Sequence, residues 1–410
     1  MGADGALPLR RAIRLLLSCC LLPCCLLLCF LLLPAAGAAA QTAAEPSVPD
    51  QALHQAARSD DAELADFALE RGAGLELRDQ LGNTPLQVTA MYGSAAVAEL
   101  LLARGADAAA ATPDDAWTAL HYAAYEGHDR VAELLIAAGA PLEAREGDYG
   151  NTPLHLAARR LKRPVVAALL AAGAVVDARD RRDGNTALIN AAFDPLGTAV
   201  VAVLLAGGAD AALAADDGTT PLIAAAGAGA EGSLQLLLDA GADPAARQGD
   251  GRSALHLAAG GGHTAVVRRL LAAGLAVDLQ AAAGDTPLGA AVEAAQLDTV
   301  IALLEAGADA NLPGGGGLPP VALAAAAGQA GALYVLLGHG GDPDAREAAT
   351  GNTALMLAAN RARLEEVRLL LQAGADVTLK ANDGWTALAA AEMIGDSEIA
   401  ALLRAAGATE

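Results

Sequence analysis

The sequence predicts an all-α protein built as a solenoid, in which about eleven short units stack along the chain. Three observations predict this fold. A motif recurs every 33 or 34 residues from position 51 onwards. The composition combines 54% hydrophobic residues, much of it alanine and leucine, with 45 glycines and only 2% aromatic residues, which suits short helices joined by turns. The chain has 410 residues, more than one compact core usually holds, so we expect growth by stacking.

Residues 1–40 have the order of a secretory signal peptide. Three arginines precede an apolar run of nineteen residues at 15–33, and a small-residue stretch follows at 35–40. We predict cleavage after Ala40, where residues 38–40 fit the small-x-small rule. The alternative is an uncleaved membrane anchor, because nineteen apolar residues are nearly enough to span a bilayer. Both alternatives place the repeats outside the cytoplasm, in the periplasm or the extracellular space, since the arginines stay inside.

The rest of the chain has a distinct composition. All five cysteines lie within residues 19–29, so the mature chain would hold no disulfide and no thiolate metal site. Residues 41–50 form a short polar linker to the array at 51–410. Only Lys162 and Lys380 are lysines among 26 basic residues, which, with so much alanine and glycine, is typical of a GC-rich bacterial genome. We therefore predict an exported bacterial protein.

Each unit is numbered from an origin, the threonine of a Thr-Pro-Leu-like turn. Threonine can cap a helix, and proline suits the first helical position. A leucine or valine follows each origin by two positions. The eleven origins, which define units 1 to 11, are Gln51, Thr84, Thr118, Thr152, Thr186, Thr220, Ser253, Thr286, Pro319, Thr353 and Thr386.

Two of the units read NTPLHLAARRLKRPVVAALLAAGAVVDARD and RSALHLAAGGGHTAVVRRLLAAGLAVDLQ. They resemble the ankyrin repeat, and the resemblance covers about 360 of the 410 residues. It implies two antiparallel helices per unit, followed by a hairpin-like finger. It also implies a concave face, lined by the finger tips and the ends of the first helices, that binds other proteins. A glycine near the end of each second helix suits a left-handed cap.

The ends and one finger depart from this pattern. Unit 1 lacks the Thr-Pro pair and unit 11 replaces an alanine with Glu392, so we expect both to cap the array with an outer face that meets water. The finger before Pro319 reads ANLPGGGGLPP and lacks the usual acidic and threonine positions. It is either a decayed repeat or a hinge, and its four glycines predict the weakest part of the array.

Nothing in the sequence predicts catalysis. Six of the seven histidines recur at fixed offsets from the origins, which indicates hydrogen bonding within and between units. The aspartates near the fingers also recur at one offset, as turn residues do. No nucleophile elbow, phosphate-binding loop or Cys/His cluster is present. We therefore expect a protein that is not an enzyme and needs no cofactor or metal.

The candidate binding residues are aromatic and basic side chains of units 2 to 4. Five of the nine aromatics after residue 40 fall between positions 92 and 149. Those whose offsets place them on fingers or first-helix ends, with two arginines of unit 4, are Tyr92, Trp117, Tyr125, Tyr149, Arg159 and Arg160. Tyr122 has the offset of a packed residue. Trp, Tyr and Arg dominate interface energetics, which favours a hot spot; solvated repeat variation is the alternative.

These observations favour a monomeric, non-catalytic scaffold that binds one or more proteins through its concave face outside the cytoplasm. Residues 1–40 carry +2 and the remainder carries −24, so we expect no nucleic-acid partner. The alternative is a membrane-tethered assembly or protective factor, in which the N-terminal segment is retained.

Overall fold

The structure, a computed structural model, describes residues 47–409. The chain divides into two units, Met1–Glu45 and Pro46–Glu410. The predicted signal peptide or anchor and most of the predicted linker lie outside the described residues. Within 47–409 the chain forms 22 α-helices and one short 3-10 turn, with no β-strand, which confirms the all-α solenoid. No helix of this part is long and apolar enough to cross a bilayer.

Every unit contributes two consecutive helices. The first helices are α1 (Val48–Ser59), α3 (Pro85–Tyr92), α5 (Ala119–Glu126), α7 (Pro153–Arg159), α9 (Ala187–Ala192), α11 (Pro221–Ala228), α13 (Ala254–Gly260), α15 (Pro287–Glu293), α17 (Pro320–Ala327), α19 (Ala354–Asn360) and α21 (Ala387–Ile394). The second helices are α2 (Ala62–Glu70), α4 (Ala95–Ala103), α6 (Asp129–Ala137), α8 (Arg163–Ala171), α10 (Thr198–Ala206), α12 (Glu231–Asp239), α14 (Thr264–Ala272), α16 (Leu297–Glu305), α18 (Ala330–Gly338), α20 (Leu364–Gln372) and α22 (Ser397–Ala405).

The origins are helix N-caps in units 2 to 11, as the Thr-Pro pattern predicts. Unit 1 differs, because α1 begins at Val48, inside the segment that the sequence assigns to the linker. Ser47 caps this helix in a reciprocal capping box with Asp50. The other carboxylate oxygen of Asp50 accepts the Gly74 N–H at 2.9 Å, which ties the start of α1 to the turn after α2. The first unit therefore gains a helical turn.

The core runs along the whole array between the two rows of helices. The alanine pairs Ala157-Ala158 and Ala258-Ala259 are fully buried, and so is the first residue of leucine pairs such as Leu101-Leu102. Small side chains let first helices pack closely, while the leucines fill the space below them. The predicted glycine caps after the second helices all have φ between +81° and +100°, a region that L side chains rarely adopt. At the other end of the array, Glu392 is exposed and pairs with Arg404, which suits a capping unit.

The segments between units, called fingers here, are joined to one another by backbone hydrogen bonds. Seven junctions have such a bond, for example from the Arg181 N–H to the Tyr149 carbonyl at 2.7 Å. Among the described residues, two junctions lack it: finger 79–83 with finger 112–117, and finger 281–285 with finger 311–318. The latter contains the 3-10 turn Gly315–Gly317 and ends on Pro319, which offers no side-chain cap. This gap lies at the predicted weak point.

Candidate protein-binding site

In units 2 to 4, a side chain three residues after the origin donates a hydrogen bond to the finger that follows its unit, a contact called a lock here. In unit 3, His121 Nδ1 accepts the Thr118 N–H at 3.1 Å, and Nε2 donates to the Asn151 carbonyl at 3.2 Å. His155 and His256 repeat this arrangement. The histidine therefore caps its own helix and also holds the next finger, which confirms the predicted role of these histidines.

Unit 2 achieves the same lock with glutamine. Gln87 Oε1 accepts the Thr84 N–H at 2.8 Å, while Nε2 donates to the carbonyls of Ala110 and Trp117, each at 2.9 Å. The Thr112 N–H donates to the Trp117 carbonyl at 2.9 Å, and the Thr112 hydroxyl accepts the Trp117 N–H at 2.9 Å. Hydrogen bonds from Gln87 and Thr112 thus hold the backbone of Trp117 independently of the contacts of its ring.

The histidine locks are neutral because they are buried. Desolvation lowers the pKa of His121 from 6.5 to about 4, since a charged imidazolium would lose its hydration in the core. Burial also lowers the pKa values of His155 and His256. These groups hold structure at neutral pH and do not serve as exposed acids or bases.

Three aromatic rings meet at Trp117. Its ring centroid lies 4.9 Å from that of Tyr122 and 5.7 Å from that of Tyr125, the latter in an edge-to-face arrangement. The Tyr122 hydroxyl donates to Asn83 Oδ1 at 3.1 Å, and this side chain is only 9% exposed, as its offset predicts. Trp117 and Tyr125 are half-buried, so each presents part of its ring to solvent over a packed base.

Arg160 extends this group into unit 4. Its guanidinium carbon lies 4.6 Å from the Tyr125 ring centroid, within the range of a cation–π interaction. The side chain is exposed, and the backbone N–H of Arg160 bonds to the last carbonyls of α7, where Arg160 is the C-cap residue. Trp117, Tyr125 and Arg160 therefore form one surface across two neighbouring units, which is called the aromatic cluster below.

The other candidate residues lie outside this cluster. Tyr149 pairs with Arg182, whose guanidinium carbon lies 4.7 Å above its ring, and no ring contact joins Tyr149 to Trp117 in the described structure. Tyr92 ends α3 with 55% of its surface exposed. Arg159 is the exposed last residue of α7. The structure brings three of the six candidates together and leaves three outside the cluster, of which Tyr92 and Arg159 are exposed and Tyr149 is half-buried.

Sequence reasoning missed Phe193, Leu196 and Trp385. Phe193 is 52% exposed and has the same offset as Tyr125 and Arg159, seven after the origin. Leu196 is 82% exposed in the loop after it. Trp385 precedes its origin by one residue, as Trp117 does. Comparing offsets across all units could have found two of these three.

Comparisons with known proteins agree with this architecture. A family model described as "Ankyrin repeats (3 copies)" matches residues 24–112, 53–146, 109–180, 154–248, 233–313 and 321–409. The matches omit residues 314–320, which form the glycine-rich finger. Protein phosphatase 1 regulatory subunit 12A from mouse and from rat is each 47% identical over 60 residues, 15% of this chain. The match spans only 6% of the length of those relatives. From the repeat geometry and the family matches together, the chain belongs to the ankyrin-repeat family.

Proposed function

We propose that this protein is a non-catalytic scaffold that binds another protein through its concave face, outside the cytoplasm. Ankyrin repeats are protein-interaction modules, and the aromatic cluster is the observation that carries the proposal to particular residues. Half-buried Tyr125 and exposed Arg160 pack on the base formed by Trp117 and Tyr122, so little side-chain entropy is left to lose on binding. Aromatic and arginine side chains held in this way are typical of binding hot spots.

Charge supports a protein partner over nucleic acid. The chain after residue 40 carries −24, and a body this acidic repels a phosphate backbone. The named relatives are regulatory subunits of a phosphatase, but the match covers too little of them to transfer a phosphatase partner to this chain.

Export rests on residues 1–40 alone, and so does the alternative of a membrane-tethered factor. Basic, apolar and small-residue stretches in that order support secretion with cleavage after Ala40. The bacterial source also stays a prediction, since the named relatives come from mouse and rat.

The binding proposal is tested by truncating the exposed part of the cluster. The double variant Tyr125→Ala with Arg160→Ala should bind the partner isolated from the native cell envelope about 2 kcal/mol more weakly, roughly thirtyfold. Its melting temperature should fall only slightly, because the Trp117–Tyr122 ring pair remains and only the Trp117–Tyr125 ring contact is lost. The matched control is Met393→Ala with Arg361→Ala, which alters the same two offsets in units 11 and 10. Equal loss of binding in both double variants, or none in either, would reject the cluster as the binding site.

A further inference from the structure

Bulky side chains continue beyond the aromatic cluster on the same row of helix ends. Seven residues after the origin, units 2 to 5 carry Met91, Tyr125, Arg159 and Phe193. Units 6 and 7 carry Gly227 and Gly260 at this offset. The row therefore forms a raised ridge from Tyr92 to Leu196 that stops sharply after unit 5. We call it the unit 2–5 ridge.

The ridge ends at the loop 193–197, whose conformation is held by hydrogen bonds to Asp194. Asp194 Oδ1 accepts the Leu196 N–H at 2.8 Å, and the Asp194 carbonyl accepts the Gly197 N–H at 2.9 Å. A Cβ added at Gly197 would clash with the Ala191 carbonyl oxygen, so the loop needs glycine there. Leu196 is nevertheless 82% exposed, and this is unfavourable because a large apolar side chain remains in contact with water. A fixed loop that displays a leucine and a phenylalanine has the form of a binding surface.

The middle of the ridge carries positive charge that forms no ion pair within residues 47–409. Most arginines of the described chain form ion pairs or donate to backbone carbonyls, for example Arg104 with Asp66. Within residues 47–409, no ion pair is formed by the cations of unit 4 and the adjoining finger: Arg159, Arg160, Lys162, Arg163 and Arg181. This cluster is unusual in a body that carries −24.

Acidic residues limit the positive stretch on both sides. Glu126 and Asp194 have the same offset in units 3 and 5 as Arg160 has in unit 4. The positive stretch is therefore about one unit long, roughly 8–10 Å, the usual distance between packed helices. A partner group that fits it must be acidic and equally short, because a longer acidic run would meet Glu126 or Asp194.

We propose that the unit 2–5 ridge binds one segment of a partner protein in which a short acidic stretch lies between two apolar anchors. This inference rests on the proposed function and specifies its partner. One anchor packs on Tyr92, Trp117 and Tyr125, the acidic stretch faces Arg159 and Arg160, and the second anchor packs on Phe193 and Leu196. Three steps of 8–10 Å span about 24–30 Å, the length of roughly 16–20 helical residues or 7–9 extended residues.

Selection from a library of displayed random peptides, about twenty residues long, tests this chemistry with the full-length chain as bait. We expect enrichment of sequences in which Asp or Glu is flanked on both sides by aromatic or aliphatic residues. A synthetic peptide from the selection should bind Arg160→Glu at least tenfold more weakly, and Phe193→Ala should also bind less tightly. Arg361→Glu is the matched control, because Arg361 caps α19 at the offset of Arg160, and it should bind as the parent does.

Several outcomes would overturn the proposal. These are a selection without binders, binders without acidic enrichment, and equal losses in Arg160→Glu and Arg361→Glu. Binding of phosphatidylglycerol vesicles that depends on Arg160, with no peptide binding, would assign the ridge to a lipid surface instead. If the native partner still depends on Tyr125 while the peptides are not acidic, the scaffold function stands and the partner chemistry proposed here is wrong.

Discussion

Two finger junctions of the described chain lack the backbone bond that joins the other fingers, and only one of them has a side-chain bond in its place. Between units 2 and 3, Gln87 replaces the missing bond by donating to the carbonyls of Ala110, just before finger 112–117, and of Trp117, at its end. Between units 8 and 9, the equivalent position is Gly289, which has no side chain to donate. The Gly314 backbone lies against it instead, so that a Cβ added at Gly289 would be 3.7 Å from the Gly314 Cα.

The result is a packed aromatic surface at one junction and an open groove at the other. The groove has a volume of about 510 Å³, and glycines at positions 260, 289, 314 and 315 form part of its lining. Where the backbone bond is missing, a side chain three residues after the origin holds the next finger at one junction, and the other junction has no such side chain. Helix packing alone does not hold the finger, because the units on either side of each junction have the same arrangement of a first and a second helix.

The largest effect that we expect is an acid sensitivity of the histidine locks. The unfolded chain binds a proton at His121 near pH 6.5, whereas the folded chain does so near 4, so stability is full above pH 6.5 and falls as the pH drops towards 4. The shift corresponds to about 3 kcal/mol for His121, and His155 and His256 should add to it. Denaturant unfolding at pH 7 and pH 4.5 measures this loss.

The control for this prediction comes from unit 2, where glutamine makes the same bonds without titrating. The triple variant His121→Gln, His155→Gln and His256→Gln should lose much less stability between pH 7 and pH 4.5 than the parent. An equal loss in both proteins would show that other groups cause the acid sensitivity.

A smaller effect should distinguish the two tryptophans. Trp117→Ala removes ring contacts with Tyr122 and Tyr125 and should lower the free energy of unfolding by about 2 kcal/mol, since each aromatic pair contributes roughly 0.5–1.5 kcal/mol. Trp385 has the same offset but no ring contact in the described structure, so Trp385→Ala should cost less. Denaturant titrations of both variants measure the difference, and a larger loss for Trp385→Ala would contradict the packed role of Trp117.

The smallest effect concerns the unlocked junction. Gly289→Ala should stabilise the array by about 0.5–1 kcal/mol through helix propensity and slow proteolysis at 314–318. The new Cβ would lie 3.1 Å from Thr286 Oγ1, which is tight, but Ala389 already occupies this offset in unit 11 beside its own threonine cap. The reverse change, Ala389→Gly, should destabilise by a similar amount. Destabilisation by both changes would show that the groove requires glycine.

Much of the fold could be predicted from sequence because its signals are local. Threonine caps such as Thr84 and left-handed glycines such as Gly105 follow from the backbone needs of one helix end. The additional turn of α1 was missed because its capping box, Ser47 with Asp50, lies in the segment assigned to the linker, although this signal is also local.

The candidate site was less predictable because its contacts join residues of different units. Offsets placed Trp117, Tyr125 and Arg160 on one face, and the structure brings them together. Their stacking, and the separate pairing of Tyr149 with Arg182, depend on distances between units that a repeat pattern does not contain. Phe193 lies outside the aromatic-rich stretch at 92–149, and only its offset, seven residues after the origin, relates it to Tyr125 and Arg159.

The gap in the ladder of finger bonds also has a mechanical consequence. A force that pulls the ends of the array apart passes through helix contacts and finger backbone bonds together at most junctions. Between units 8 and 9 it passes through helix contacts and the bond from Gln329 Nε2 to the Val292 carbonyl, without a finger backbone bond. We expect the array to yield there first, with units 1 to 8 still stacked and the unit 2–5 ridge undistorted. Separation at the glycine finger would then limit the force on units 1 to 8, so that a partner stays bound to the ridge while the rest of the chain extends.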